Sequence, residues 1–486
     1  YLGPILVFIF GWPVISKFNA VVKTHRIGSL ADFMSARYGR SHPLAVLTTL
    51  VALLGTIPYI ALQLKAVGQT FNIMAGSPTG TEPAIFDTAF FAAIFLTVFA
   101  ILFGTRLPGQ RRDSNRGMMI AIAFESVVKL VAFVLVGVFC AFELYDGFDN
   151  LFNLARQDPE VANVFSTDFS QWGLATQLVL ASLAIICLPR QFHVTFVESP
   201  DEERYRNNAR WFFPLYLLGF VIFVVPIAAA GLLKFGGLAP PDAFVLLLPM
   251  AFDNEPLAAL AFLGGLSAAT GMILVSTLAL AIMVANELLL PLLFRSSSEE
   301  LKERQDLSWI MVMVRRLCIA GIMALAWLYY QSATSERSLA SIGLVAFVAA
   351  AQFAPALLGG LYWRQGNRYG ALAGMLIGLV SWSFMLVLPE VSDRALETLQ
   401  PLLVLPVDPL TNGVLVSLGL NLLTYVLISL TTTSRLVDRV QAATFVDVMP
   451  PNSKSGRYLK EDLRIDDLTT LASRFIGNDR VQHIIE

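Results

Sequence analysis

Long apolar runs separated by short polar segments dominate the chain. A bilayer core about 30 Å thick needs roughly 20 apolar residues of helix to cross it, and eleven runs approach or exceed that length. They predict membrane-spanning helices at 2–22, 44–73, 85–104, 117–142, 172–189, 211–234, 258–291, 308–330, 338–362, 370–388 and 412–432. The pattern indicates an all-α membrane protein whose membrane domain covers residues 1–433.

The positive charges between these runs alternate along the chain. Twenty Lys and Arg residues lie in one alternate set of connecting segments, whereas the other set holds only Arg156, Lys234, Arg337 and Arg394. Because Lys and Arg concentrate in cytoplasmic loops, we expect residue 1 on the outer face of a bacterial inner membrane and the C-terminus in the cytoplasm. A start on the outer face, inside an apolar run, leads us to expect further helices upstream of Tyr1.

Composition supports a lipid-embedded protein and excludes one class of partner. The chain has 486 residues, of which 56% are hydrophobic and 14% charged, and its net charge is -2. Nucleic-acid binding requires a clustered positive excess, so we exclude nucleic acid as a partner. Cys140, Cys187 and Cys318 lie far apart in apolar runs, a spacing that favours neither a metal site nor a disulfide framework.

The character of the chain changes after Thr433. Residues 434–457 are polar and contain two adjacent prolines, which predicts a cytosolic linker. Leucines and other apolar residues in 458–486 recur at helical spacing between charges, which is typical of amphipathic helix. We expect this last segment to begin a cytosolic helical domain.

Three sequence motifs resemble the sodium:solute symporter family. The segment SLADFMSARYG at 29–39 is similar to the loop that follows an early helix in that family, and YIALQLKAVGQ at 59–69 is similar to its next helix. The segment LSAATGMILVSTLALAIMVANEL at 266–288 resembles the family's cation-motif helix. The order and spacing of the three motifs extend the resemblance over nearly all of residues 1–432.

The resemblance implies a LeuT-like inverted-repeat bundle of thirteen helices, of which about 11 are present here. The membrane domain followed by a cytosolic start is most similar to sensor histidine kinases of the CbrA type. It implies cytosolic kinase modules and a response regulator as partners in the full-length protein, although no kinase motif occurs in this chain. The same resemblance implies a small amino acid as solute, with L-histidine as the best single candidate.

Transporters of this architecture bind solute where a helix is interrupted near the membrane midplane, and the second broken helix is expected at 172–198. Gln191 and His193 follow Pro189 there, so they are candidate substrate ligands. The alternative is that Pro189 ends the helix and both side chains lie in the headgroup zone.

Lys65 lies about two-thirds of the way along the predicted helix 44–73, between Gln63 and Gln69. An ammonium group at that depth is costly unless it meets an anion or water. Lys65 therefore binds a substrate carboxylate or a structural acid, or else it snorkels toward the surface. Only Lys65 and Gln69 share a helix face, at i and i+4.

The cation site is expected on the predicted helix 258–291. The place that matches the family's hydroxyl motif holds Ala268, Gly271 and Met272, which offer no side-chain oxygen, with Thr270 adjacent, while Ser276 and Thr277 lie about a turn and a half away. A sodium ion needs several oxygen ligands, and Thr or Ser in such helices often bonds its own backbone. We therefore favour H+ over Na+ as coupling ion, with no other cofactor.

Glu125 and Lys129 are also spaced i, i+4. This order stabilises a helix, which favours a structural bridge, and a proton relay through Glu125 is the alternative. The chain contains no His-Glu-x-x-His helix and no pair of aspartates at membrane depth, so the sequence favours solute transport over intramembrane catalysis. A solute sensor that binds without transporting is the second hypothesis.

Overall fold

A computed structural model describes residues 1–76, 87–105, 116–166, 171–199, 203–296, 308–332, 339–391 and 407–448. Within these ranges the secondary structure is helical. The α-helices are α1 Leu2–Ile9, α2 Trp12–Thr24, α3 Leu30–Arg37, α4 His42–Met74, α5 Thr88–Gly104, α6 Arg116–Val138, α7 Phe148–Gln157, α8 Pro159–Ser166, α9 Gln171–Cys187, α10 Pro189–Phe192, α11 Glu203–Phe235, α12 Phe244–Ala251, α13 Glu255–Val284, α14 Leu290–Ser296, α15 Ser308–Ser332, α16 Leu339–Ala351, α17 Ala354–Tyr362, α18 Arg368–Trp382, α19 Leu388–Val391, α20 Pro409–Thr431 and α21 Leu436–Val446. Short π-helical turns continue α6, α10, α13 and α18.

The predicted spans coincide with these helices. Eight helices of the described chain are long and apolar enough to cross a bilayer, and two sharply bent pairs bring the total to ten if each pair is one span. The remaining predicted span, 85–104, corresponds to the shorter apolar helix α5. The protein is therefore a multi-pass membrane protein.

The first predicted span is interrupted, which the hydrophobic pattern did not reveal. Helices α1 and α2 meet at 74° across Phe10 and Gly11. Pro13 stands in the first turn of α2, where its missing N–H costs no helical hydrogen bond. An apolar run alone cannot show such a bend, because the residues on both sides are equally hydrophobic.

The loop motif at 29–39 forms a capped helix that anchors two distant segments. The Asp32 N–H donates to Ser29 Oγ at 3.1 Å, and the Gly28 N–H donates to Asp32 Oδ2 at 2.8 Å. Two backbone N–H groups at the start of α3 are therefore hydrogen-bonded by side chains. At the other end of α3, Arg37 is fully buried and donates to the carbonyls of Gly360 and Trp363 at 2.7 and 2.8 Å. These charge-assisted bonds fix α3 against the end of α17.

Two tyrosine hydroxyls extend this hydrogen-bond network to α20. Tyr38 donates to the Ala356 carbonyl at 2.7 Å, and its oxygen lies 2.8 Å from the Tyr425 hydroxyl. Since a phenol has one proton, Tyr425 donates to Tyr38. Burial raises the pKa of Tyr38, which keeps this proton in place across the physiological range.

Helices α18 and α20 pack closely because small residues of α18 face polar residues of α20. A Cβ added to Gly374 would lie 2.8 Å from Asn421 Oδ1 and 2.9 Å from the Asn421 carbonyl. The Asn421 amide donates to the backbone and side-chain oxygens of Gln352 at 2.8 and 3.0 Å. Gln352 lies between α16 and α17, so Asn421 satisfies the backbone where that span is interrupted.

The predicted linker 434–457 includes the helix α21, which packs on the bundle. Phe445 is fully buried, and its ring centroid lies 4.2 Å from that of His25. Lys17 Nζ donates to the Val446 carbonyl at 2.9 Å. The helix expected within 458–486 lies outside the described residues.

The close packing of α18 on α20 generates a stability prediction. We expect Gly374→Leu to lower the melting temperature of the purified protein by several degrees, because the added carbons must displace Asn421 backbone and overpacking costs on the order of 1–3 kcal/mol. Gly419→Leu in α20 is the matched control, since no atom lies within 4 Å of its added Cβ. Differential scanning fluorimetry in detergent measures both, and equal melting temperatures would contradict the packing described.

Candidate functional site

The span 172–198 is broken where the sequence predicted a broken helix. Trp172–Cys187 and Pro189–Val197 meet at 53°, and Leu188 between them has extended backbone. Pro189 has no N–H and cannot continue the preceding helix. The break therefore turns the chain and places Arg190 and Gln191 beside the bundle interior.

A cavity of about 820 Å³ lies beside this break. Its wall is formed by residues of α1, α4, α6, α9, α10, α11, α12, α13 and α16, and most of the lining is apolar. The polar and charged lining residues are Tyr1, Gln69, Thr70, Lys129, Arg190, Gln191, Thr195, Ser199, Tyr216 and Asp242. A concave site with an apolar body and a few polar groups is the usual form of a small-solute site.

Two cationic side chains contact aromatic rings at this cavity. The Arg190 guanidinium lies 4.2 Å from the ring centroid of Tyr59, and Lys129 Nζ lies 5.9 Å from that of Tyr216. Arg190 Nε is buried and makes no hydrogen bond within the described chain. The ring contacts orient both cations without neutralising them.

A second, smaller cavity of about 190 Å³ adjoins the first and shares Lys129, Arg190 and Gln191 with it. Glu125 lines the small cavity, and its buried Oε2 makes no hydrogen bond to any residue that the structure describes. Lys129, one turn along α6, interacts with it electrostatically. A buried carboxylate oxygen without a hydrogen-bond partner is costly unless the group is neutralised.

Helix α13 forms the opposite wall of the small cavity. A Cβ added to Gly271 would lie 2.5 Å from Glu125 Oε2, so only glycine leaves the carboxylate in its place. Ser267 Oγ donates to the Glu125 carbonyl at 3.1 Å and fixes the two helices together. Ala268 lines both cavities.

The hydroxyls further along α13 have separate environments. Thr270 Oγ1 donates to the Ser267 carbonyl at 3.2 Å, as expected for threonine in a transmembrane helix. Thr277 Oγ1 lies 3.4 Å from Met323 Sδ. Ser276 is fully buried, and its Oγ has no partner among the described residues.

The structure separates the predicted substrate residues into two groups. Gln69 and Gln191 line the large cavity, whereas Gln63, Lys65 and His193 are not among its described lining residues. Lys65 interacts electrostatically with Asp242, which itself lines the large cavity. His193 Nε2 lies 3.3 Å from Glu198 Oε1, and this pairing accounts for its burial.

Sequence reasoning missed Lys129 and Arg190 as cavity residues. The sequence indicates Lys129 only as the partner of Glu125, and Arg190 is one of the twenty Lys and Arg residues counted in the connecting segments. The signal that could have identified Arg190 is its position directly after the helix break, because a residue there lies at membrane depth if the break does.

Comparison with known proteins finds similarity to symporters. Residues 225–378 match the model of the Sodium:solute symporter family. The chain is 24% identical over 436 residues to the "Uncharacterized symporter YhjB" of Bacillus subtilis (strain 168). The aligned region covers 88% of this chain and 81% of that protein. These matches confirm the predicted resemblance to sodium:solute symporters.

The fold is also similar to a solved one. The substrate-bound outward-open state of a Na+-coupled sialic acid symporter superposes with a TM-score of 0.60, at 13% identity, over 89% of this chain and 84% of that one. This likeness confirms the predicted all-helical, LeuT-like architecture. The association with a sensor kinase stays a prediction.

The cavity geometry predicts chemical accessibility. We expect Gln69→Cys and Gln191→Cys to react with a water-soluble methanethiosulfonate reagent in membranes, because both positions line the large cavity. The unsubstituted protein is the control, since Cys140, Cys187 and Cys318 are buried. Mass spectrometry counts the modified thiols, and protection of both new cysteines equal to that of the native ones would show that the cavity is closed to water.

Proposed function

We propose that this chain is the membrane domain of a cation-coupled symporter, with Na+ as the coupling ion, that carries a small polar solute through the 820 Å³ cavity. The observation that carries the proposal is the Glu125 carboxylate, whose buried Oε2 makes no hydrogen bond to any described residue, in a small cavity beside the broken helix. Ionisable groups inside a membrane domain commonly mark ion pathways. The family match over 225–378 supports the same function.

The small cavity contains the type of ligand that a hard cation prefers. Oxygen ligands suit Na+, and Glu125 and Ser267 supply carboxylate and hydroxyl oxygens on facing helices. A cation bound there would neutralise the buried carboxylate. Glu125 would serve a proton equally well, so proton symport, which the sequence favoured, is the alternative.

The remaining details of the function rest on the sequence resemblance and, for the membrane orientation, on the alternation of positive charges along the chain. They are an amino-acid solute, with L-histidine as the first candidate, a bacterial inner-membrane location with the C-terminus in the cytoplasm, and a sensor-kinase output in the full-length protein. The docked helix α21 provides a physical connection for such an output, because Phe445 is buried against the bundle.

Uptake into proteoliposomes tests the transport function. We expect labelled L-histidine to accumulate when a Na+ gradient is imposed and to equilibrate without one. Accumulation driven by a pH gradient alone would instead establish the proton alternative. Binding of histidine without accumulation under either gradient would overturn transport and leave the non-transporting sensor.

The role of Glu125 can be tested without knowing the solute. We expect Na+, compared with choline at the same ionic strength, to raise the melting temperature of the protein, because ligand binding to the native state stabilises it by about 2.7 kcal/mol at one hundred times Kd. Glu125→Gln should remove this shift, since the neutral amide no longer attracts the ion.

The control for this measurement is Glu255→Gln, which makes the same change at an exposed position at the start of α13. Its Na+-dependent shift should equal that of the unsubstituted protein. A full shift in Glu125→Gln would show that the ion binds elsewhere.

A further inference from the structure

We propose that Arg190 and Lys129 form a carboxylate-binding subsite in the large cavity, so that the solute carries a carboxylate group. This inference rests on the proposed symport function and specifies its substrate class. The shared chemistry is the carboxylate, whether it belongs to an amino acid or to an acid without an amine.

The position of Arg190 supports anion binding directly. It is the second residue after the helix break, and its guanidinium stacks 4.2 Å from Tyr59. Its buried Nε makes no hydrogen bond to any described residue. Guanidinium groups present paired donors that match the two oxygens of a carboxylate, so an anion would satisfy a donor that the protein leaves open.

Lys129 brings a second positive charge to the same wall from a different helix. Arg190 and Lys129 both line the two adjoining cavities and repel each other electrostatically. Keeping two like charges together in a site of low dielectric constant is unfavourable. An anion bound between them would remove this repulsion.

The acids nearby are committed to other interactions. Asp242 lines the large cavity but interacts with Lys65. Glu125 faces the small cavity and, under the proposed function, binds the coupling cation. With that cation in place, the cavity retains the charges of Arg190 and Lys129, which favours a solute with a carboxylate over one without.

This arrangement would couple the two ligands through charge. Glu125 and Lys129 interact electrostatically, so a cation that neutralises Glu125 leaves Lys129 fully available to the carboxylate. By linkage, the solute then raises the affinity for the cation by the same factor as the cation raises the affinity for the solute.

Binding measurements on nanodisc-embedded protein, without any ion gradient, test the subsite. The probes are L-histidine and L-glutamine as amino acids, L-lactate and succinate as acids without an amine, and glycerol and glucose as neutral solutes, all at fixed Na+. We expect at least one carboxylate to bind and both neutral solutes to fail. The amino-acid and amine-free probes distinguish the two sources of the carboxylate.

Substitutions then assign the binding to the two cations. Arg190→Gln and Lys129→Gln should each weaken the Kd of the best carboxylate roughly 10- to 100-fold, the usual effect of losing one charged hydrogen-bond partner. Arg190→Lys keeps the positive charge, so its affinity for the carboxylate should fall less. The controls are Arg368→Gln and Lys234→Gln, because each makes the same change at a cation that contacts an aromatic ring outside the cavity lining.

The binding and uptake results separate the carboxylate subsite from the symport function. Binding of neutral solutes alone, binding of no carboxylate, or unchanged carboxylate affinity in folded Arg190→Gln and Lys129→Gln would overturn the subsite. Charge-dependent carboxylate binding without ion-driven uptake would overturn symport and leave the subsite intact. Ion-driven uptake that survives both substitutions would overturn the subsite and leave symport intact.

Discussion

Inside a bilayer, a helix can be interrupted only where other protein groups or enclosed water meet the backbone groups that the interruption frees. The break at Leu188 satisfies this condition beside a cavity of about 820 Å³. The turn at Pro189 also brings Arg190 and Gln191 to the cavity wall. The site, its charge and its access to solute all depend on this one interruption.

The interruption at Gln352 is satisfied in a different way. There Asn421 donates to both oxygens of Gln352, and the buried Arg37 and Tyr38 complete a network with backbone carbonyls nearby. Such a filled network rigidifies its part of the fold. By contrast, Glu125 and Arg190, each with a buried polar atom that makes no hydrogen bond to a described residue, line the same small cavity beside the break at Leu188.

Apolar length in the sequence predicted the membrane spans, and the resemblance to the symporter family predicted the break at 172–198. The sequence did not predict the bend at Gly11 or the meeting of Lys65 with Asp242. It also could not show that Gly271 lies against Glu125. Helices such as α13 are apolar on every face, so periodicity does not fix which side of one helix meets which side of the next.

In the proposed symport, the ion at Glu125 and the solute in the large cavity cross the membrane together. Electrical recording from proteoliposomes on a solid-supported membrane tests this most directly, because one Na+ carried with a neutral zwitterion transfers net positive charge. A concentration jump of L-histidine should produce a transient positive current in Na+ and none when choline replaces Na+ at the same pH. A current of equal size in choline would contradict sodium coupling, and no current from protein that binds histidine would contradict transport.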